Sequence, residues 1–274
     1  MIRPLLLLTL ALAAFVPAYA EPDDGLTGPG VAVDLLAEQD GVTPGQPFTV
    51  GLHLHHFPGF HSYWQNPGMV GVATSIDWEL PPGFKASGIQ WPAPQHSHMG
   101  EYPCYGYERD VTLLVTITPP EEIDEKQVTL KAETMWMACS KGCFPGYETF
   151  TLTLPVTDSP APNAAAMTLI AQARKELPIS KNEVRLRPLG KPSDATVRVR
   201  LEHPGLASAK EIHFFSTDRQ ISSDHPQKFE KQDDGSMILT VPRSEFGPES
   251  PTSLPGVLQM DDQFFAVSGD YPKE

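Results

Sequence analysis

The stretch KQVTLKAETMWMACSKGCFPGYETFTLTLP, residues 126–155, contains two strand-like runs on either side of a closely spaced cysteine pair. Apolar and polar residues alternate up to Cys139, and a second alternating run follows Cys143. If the two runs form a hairpin, Gly142 takes the left-handed position that three-residue hairpin loops usually require. The cysteines then face each other at a separation that a disulfide can span. If the segment is instead one continuous strand, the sulfurs lie too far apart to bond.

A cysteine pair of this spacing has three interpretations. A metal site needs more ligands than an isolated CxxxC motif supplies. A structural disulfide is the ordinary state of cysteines in a secreted protein, but closing so short a loop removes little entropy from the unfolded chain. An exchangeable disulfide suits a short turn, because exchange requires that a thiolate reach one of the sulfurs. Lys141, within the loop, would favour a thiolate nearby.

Alternation of the same kind recurs along the chain and predicts an all-β protein. In FTVGLHLHHF, residues 48–57, His53 and His55 lie on the face opposite the apolar side chains. That apolar face contains Phe48, Val50, Leu52 and Leu54. Further strands are predicted at residues 74–80, 109–117, 195–203, 211–216, 236–242, 256–260 and 264–269. Short strands bounded by proline or glycine favour two immunoglobulin-like β-sandwich domains, joined by a linker with one short helix.

The chain divides into four predicted segments. They are a signal peptide at residues 1–20, a first β domain at 21–157, a linker and helix at 158–182, and a second β domain at 183–274. The first segment has one basic residue, an apolar run and small residues before a cleavage site after Ala20, as secretory signal peptides do. The helix is predicted from Asn163, its N-cap, to Leu177. One side of it carries Met167, Ile170, Ala171 and Arg174.

Charge and hydropathy exclude several classes of partner. The formal net charge of −14 becomes −15 when Arg3 leaves with the signal peptide. Such an acidic chain repels phosphate backbones and anionic membrane surfaces, so we expect no nucleic-acid partner. No later stretch approaches the roughly 20 apolar residues of a membrane span, so we expect no transmembrane segment in the mature chain. A secreted protein resides in an oxidising compartment, where disulfides persist.

Four motifs follow one another in a fixed order. They are Tyr63-Trp64-Gln65-Asn66-Pro67-Gly68, Trp78-Glu79-Leu80-Pro81, Trp91-Pro92-Ala93-Pro94, and the pair Cys139 and Cys143. In this order they resemble the periplasmic N-terminal domain of the DsbD and ScsB family of thiol–disulfide interchange proteins. FFSTDRQISSDHPQ and LPGVLQMDD, in the second β region, resemble the second β domain of the ScsB branch more weakly. The resemblance implies an immunoglobulin-like fold and a periplasmic location.

The resemblance also implies a redox role for the cysteine pair. Cys139 and Cys143 would be the catalytic residues, receiving electrons from a membrane-embedded partner and reducing thioredoxin-like periplasmic proteins. The protein would thus be one component of a protein-disulfide reductase system. The chemistry of the pair suffices for exchange, so we expect no cofactor. The resemblance favours Cys143 as the attacking thiol.

In the family a loop caps the disulfide and opens for partners. By order along the chain this loop is HSHMGEYPCYGY, residues 96–107, with Glu101 and Tyr102 as the acidic and aromatic cap residues. The sequence departs from the family pattern at Met69-Val70, where an acidic residue is usual, and at Cys104 within the cap. The family's transmembrane and thioredoxin-like domains are not found in this sequence, so either they are separate proteins, as we expect of the partners, or the function has diverged from that of the family.

The odd cysteine belongs to a second interpretation. With the other two cysteines paired, Cys104 has no partner within the chain, and a buried free thiol is the plain expectation. An alternative is a non-catalytic periplasmic binding protein, with a structural disulfide and a copper site, because imidazole with soft sulfur suits copper. The candidate ligands are His96, His98, Met99 and Cys104.

Overall fold

The computed structural model describes residues 30–180 and 183–273, so the signal peptide predicted over residues 1–20 lies outside the described residues. The described part of the chain is built mainly from antiparallel strands, as the alternation predicts. The strands before the helix are β1 Val31–Ala37, β2 Phe48–His56, β3 Ser62–Gly68, β4 Ser75–Glu79, β5 Lys85–Ala86, β6 Gln95–Met99, β7 Tyr102–Tyr107, β8 Val111–Thr118, β9 Gln127–Cys139 and β10 Cys143–Pro155. Helix α1 is Ala164–Glu176. The strands after it are β11 Arg185–Leu189, β12 Thr196–Glu202, β13 Ile212–Ser216, β14 Lys228–Lys231, β15 Met237–Pro242, β16 Ser253–Met260 and β17 Gln263–Asp270, with a 3₁₀ turn at Pro204–Ala207.

The first β region is a sandwich with an additional three-stranded sheet. One layer has the strand order β1-β2-β8-β5 and the other β10-β9-β4, while β3-β7-β6 forms the additional sheet. Apolar residues at every second position of β2 are buried, which confirms the predicted face. They pack in one core with Leu130, Ala132 and Trp136 of β9. One face of the long β9–β10 ladder packs against this core.

Helix α1 packs on the outer side of the β1-β2-β8-β5 layer. The side chain of Asn163 accepts a hydrogen bond from the Ala166 N–H, which confirms the predicted N-cap. The buried side chains are Ala166, Ile170 and Ala173, packed against Leu114 of β8. Met167 is exposed, so the packed side is rotated from the one the sequence suggested. None of the helices in residues 30–180 and 183–273 is long and apolar enough to cross a membrane.

The second β region is a smaller sandwich. Its layers have the strand orders β11-β12-β15-β14 and β13-β16-β17. Alternating residues of β12 and β15, among them Val199 and Leu239, are fully buried between the layers. These strands were predicted from the same period-two pattern that predicts the first region.

The two sandwiches share packed side chains. Phe215 of β13 is fully buried and belongs to the hydrophobic core of the first sandwich. Its ring lies 6.1 Å from the ring of Trp64, centroid to centroid. The side-chain amide of Asn66 donates a 2.6 Å hydrogen bond to the Ser216 carbonyl, and its oxygen accepts from the Gly68 N–H at 3.0 Å. The Asn66-Pro67-Gly68 segment therefore also fixes the second sandwich against the first.

We expect Asn66→Ala to lower the free energy of unfolding by about 1–3 kcal/mol, because the buried Ser216 carbonyl loses its donor. Urea denaturation followed by tryptophan fluorescence measures this change. Asn66→Asp, which keeps the acceptor for Gly68 but loses the donor, should be at least as destabilising at pH 7. Asn163→Ala, which removes a helix cap, is the matched control at about 1 kcal/mol. Unchanged stability in both Asn66 variants would contradict this role.

Candidate functional site

The cysteine pair lies at the end of the β9–β10 hairpin. Cys139 is directly opposite Cys143 in the register of the ladder, as the hairpin interpretation predicts. The two form a disulfide with their Cα atoms 4.2 Å apart. Within the loop, the Ser140 N–H donates to the Gly142 carbonyl at 2.9 Å. The prediction of a left-handed Gly142 is wrong, since its φ is not positive and this hydrogen bond closes the loop without it.

The two cysteines differ in exposure. Cys139 is 0% exposed, whereas Cys143 is exposed. The backbone of Cys139 is held in place by His61, which exchanges two hydrogen bonds with it at 3.0 and 2.9 Å. The disulfide is therefore accessible to solvent on the Cys143 side.

Cys139 is covered by an apolar cluster. Its members are Tyr63, Val70, Met99, Cys104, Met137 and Cys139 itself. Met99 and Cys104 come from the predicted cap, so the segment expected to shield the disulfide does lie over its buried half. In this structure the Cys139 sulfur is therefore shielded by side chains of the β6–β7 segment.

The predicted cap is a β-hairpin rather than an irregular loop. Strands β6 and β7 pair through Gln95↔Gly106, Ser97↔Cys104 and Met99↔Tyr102, among others. Gly100, at the turn, has a φ of 60°, which glycine adopts without strain. Glu101 and Tyr102 are at the exposed tip, with Tyr102 59% exposed. Their role as cap residues stays a prediction.

The third cysteine, Cys104, is a buried free thiol, which confirms the first of the two expectations for it. Burial raises the pKa of Cys104 from 9.0 to about 11, against a smaller lowering by a hydrogen bond with Ser97. Its thiolate is therefore scarce at neutral pH.

The proposed copper ligands are not brought together. His96 is paired with Tyr105, and Ser97 with Cys104, so strand alternation places His96 and Cys104 on opposite faces of the hairpin. Within residues 30–180 and 183–273, no group of three or more His, Cys, Asp or Glu side chains is placed to hold a metal ion. The copper alternative has no support in this geometry.

A polar cleft of about 570 Å³ adjoins the disulfide loop. Its lining includes Pro58, Gly59, Phe60, His61, His98, Glu108, Ser140 and Lys141. The ring nitrogen Nε2 of His61 lies 3.3 Å from the Tyr63 hydroxyl. Burial lowers the pKa of His61, while Glu108 opposes this shift. Burial also raises the pKa of Tyr63, so both groups are neutral at pH 7.

His61 was missed by the sequence reasoning. It lies two residues before the Tyr63-Trp64 motif, and no periodicity marks it as a neighbour of Cys139. Only the isolated β-bridge between His61 and Cys139 reveals it.

Comparison with known proteins places this geometry in a class. Residues 32–155 match the family model described as thiol:disulfide interchange protein DsbD, N-terminal. The N-terminal periplasmic domain of ScsB from Proteus mirabilis aligns with a TM-score of 0.63 at 17% identity, over 91% of this chain and 97% of that chain. The conserved domain protein from Bacillus anthracis aligns with a TM-score of 0.26 at 11% identity, over 88% of this chain and 86% of that chain. None of the curated proteins compared with the chain matches it.

The first sandwich therefore matches the DsbD N-terminal family model, and the resemblance seen in the four motifs is confirmed. The alignment with the ScsB domain spans both sandwiches and confirms the immunoglobulin-like, all-β fold. The match to this family model, together with the Cys139–Cys143 disulfide, supports a role in thiol–disulfide interchange.

In the oxidised protein we expect Cys104 to react about 100-fold more slowly with iodoacetamide than in denatured protein at pH 8, because each pKa unit lowers the thiolate fraction tenfold. The chain has three cysteines and two are paired, so the label reports on Cys104 alone. Mass spectrometry follows the labelling, and Cys104→Ser should take up no label. Equal rates in folded and denatured protein would show that the thiol is not protected.

Proposed function

We propose that this chain is a periplasmic thiol–disulfide exchange protein, exported by a signal peptide that is cleaved after Ala20. It takes electrons from a membrane partner of the DsbD or ScsB type and passes them to thioredoxin-like proteins. The observation that carries the proposal is a DsbD N-terminal domain whose disulfide has one buried and one exposed cysteine.

In the reduced state, the Cys143 thiolate attacks a sulfur of the oxidised partner. The partner's disulfide breaks, its second sulfur leaves as a thiolate and takes up a proton, and a mixed disulfide joins the two proteins. The Cys139 sulfur, having lost its proton, then attacks Cys143 and releases the partner as a dithiol. Two electrons have moved to the partner, and the Cys139–Cys143 disulfide has formed. The membrane donor reverses these steps on this protein with its own dithiol.

The surroundings support this division of roles. Cys139 is enclosed by apolar side chains, and burial in such surroundings disfavours a thiolate. Cys143 is exposed, and Lys141 in the same loop supplies a positive charge that favours its thiolate. The attacking group is therefore Cys143 and the resolving group Cys139.

The β6–β7 hairpin has the role of the cap in this proposal. Glu101 and Tyr102, at its exposed tip, are the residues that an approaching partner meets first. Met99 and Cys104, further along the hairpin, shield Cys139 until the partner is bound.

A trapping experiment tests the assignment of the two cysteines. Each variant carries Cys104→Ser and is mixed with a thioredoxin-like protein that has one cysteine, activated with thionitrobenzoate. We expect Cys139→Ser to release thionitrobenzoate rapidly and form a mixed disulfide through Cys143. Cys143→Ser should react more than about tenfold more slowly, since its remaining thiol is buried. Equal rates, or a faster Cys143→Ser variant, would contradict the assignment.

The reduction potential tests the exchange role itself. Equilibration of the Cys104→Ser protein with dithiol buffers, followed by quantification of the free thiols, gives this value. We expect a potential above about −300 mV, as exchangeable disulfides have. A lower value would assign the pair to structural disulfides and remove the proposed function.

A further inference from the structure

The β6–β7 hairpin is packed on both faces. One face carries Cys104, which lies in the cluster over Cys139. The other face carries His96 and Tyr105, which are paired across the hairpin and contact the second sandwich. The hairpin is thus enclosed between the disulfide and a part of the chain more than 100 residues further on.

The contact with the second sandwich is an interdomain aromatic cluster of His96, Tyr105, His213 and Phe215. The rings of His96 and His213 have centroids 4.3 Å apart, and those of Tyr105 and Phe215 are 4.8 Å apart. His213 and Phe215 are themselves 4.4 Å apart on β13. The Tyr105 hydroxyl and Nε2 of His213 are within hydrogen-bond distance at 3.1 Å. This is a close contact on the side of the hairpin away from Cys139.

Strand β13 forms a firm support for this cluster. Its Ser216 carbonyl accepts from Asn66, and Phe215 contacts the ring of Trp64. Gln227 also holds β13, since its side-chain amide bonds both backbone groups of Phe214. The hairpin therefore rests against a strand that is tied to the first sandwich.

The pairing of β7 with β3 is weak where the hairpin covers the disulfide. The register is interrupted between Tyr63 and Gly68, so the ladder leaves the middle of this stretch unpaired. Strand β6, on the other side, is the edge of its sheet. The position of this part of the hairpin therefore depends strongly on side-chain packing.

We propose that the second sandwich controls access to the redox disulfide, with His213 and Phe215 holding the β6–β7 hairpin down on Cys139. Both are positioning residues that act through His96 and Tyr105. The hairpin leaves Cys139 when the interdomain aromatic cluster separates. The consequence for the rate of thiol exchange rests on the proposed function, whereas control of the hairpin does not.

The cluster also makes the hairpin sensitive to acid. Burial lowers the pKa of both His96 and His213, the latter to about 3, and the nearby His96 ring lowers the pKa of His213 further. Glu211 raises the pKa of His96 and His98 lowers it, while Asp224 acts on Tyr105.

The sign of the pH dependence follows from these shifts. A separated cluster returns the histidines towards their ordinary pKa of about 6.5, so the open hairpin binds more protons than the closed one. The closed state is fully stable above this pKa and loses stability as the pH falls towards 3. The fraction of molecules with an open hairpin should therefore rise as the pH falls below about 6.5.

Cys104 serves as a built-in reporter of this opening. In the oxidised full-length protein it is the one free thiol of the three cysteines, and it lies on the covered face of the hairpin. Its reaction with 4,4′-dithiodipyridine is followed by absorbance and divided by the rate in denatured protein at the same pH. The label needs no exchange at Cys139 or Cys143, so failure of the proposed function would leave this test intact.

At pH 7 we expect His213→Ala to label Cys104 about 5- to 30-fold faster than the unmodified protein. Tyr105→Phe keeps the ring and loses the contact with Nε2 of His213, so it should label about 2- to 10-fold faster. His203→Ala is the matched control, because His203 lies in the same sandwich but packs against Phe265 and accepts from the Gly205 N–H. In His203→Ala, Cys104 should be labelled at the same rate as in the unmodified protein.

Between pH 7 and 5, labelling of the unmodified protein should rise about 25-fold through the release of His213, whose pKa in the closed state is about 3. Release of His96, whose pKa is also lowered, should add to this rise. His213→Gln cannot take up a proton at this position and should lose that share of the rise.

The proposal is overturned if Cys104 is labelled at the unmodified rate in both His213→Ala and Tyr105→Phe. It is equally overturned if His203→Ala accelerates labelling as much as they do, since the effect would then be general loosening.

Discussion

The antiparallel ladder between β9 and β10 places Cys139 opposite Cys143, and the arrangement of the site follows from this register. A shift of one strand by one residue would turn its cysteine to the opposite face and separate it from the other. Two backbone hydrogen bonds, one donated by His61 and one by Cys139, fix the end of β9 beside the residue that precedes β3. The same strand that presents the disulfide is thereby built into the sandwich, so one sulfur is enclosed while the other faces solvent.

The second sandwich takes part in this arrangement. Trp64 and Asn66 belong to the motif by which the first domain was recognised, yet both contact the second sandwich, through Phe215 and the Ser216 carbonyl. The division of the chain at residues 158–182 stays a prediction. Side chains of the second sandwich belong to the hydrophobic core of the first. The second sandwich also contacts the β6–β7 hairpin, which covers Cys139.

The sequence predicted those features whose cause is local. Strand β2 and the β9–β10 hairpin alternate clearly because one face of each is buried, and Asn163 is a cap because its side chain reaches the first turn of the helix. The cap segment was read as a loop because its polar residues show no single apolar face. It is a hairpin because partners distant in sequence cover both of its faces, including His213. Neither His61 nor His213 carries a local signal, since each acquires its position only through tertiary packing.

The exposure of one cysteine alone has a kinetic consequence. Under the proposed function, a donor and an acceptor would both reach the disulfide through Cys143 and occupy the same position, so a complex of all three proteins would not form. Turnover then follows a ping-pong scheme, in which the donor leaves before the acceptor binds. Each partner competes with the other for the free protein, and the flow of electrons is set by the ratio of the two partners as well as by the amount of either.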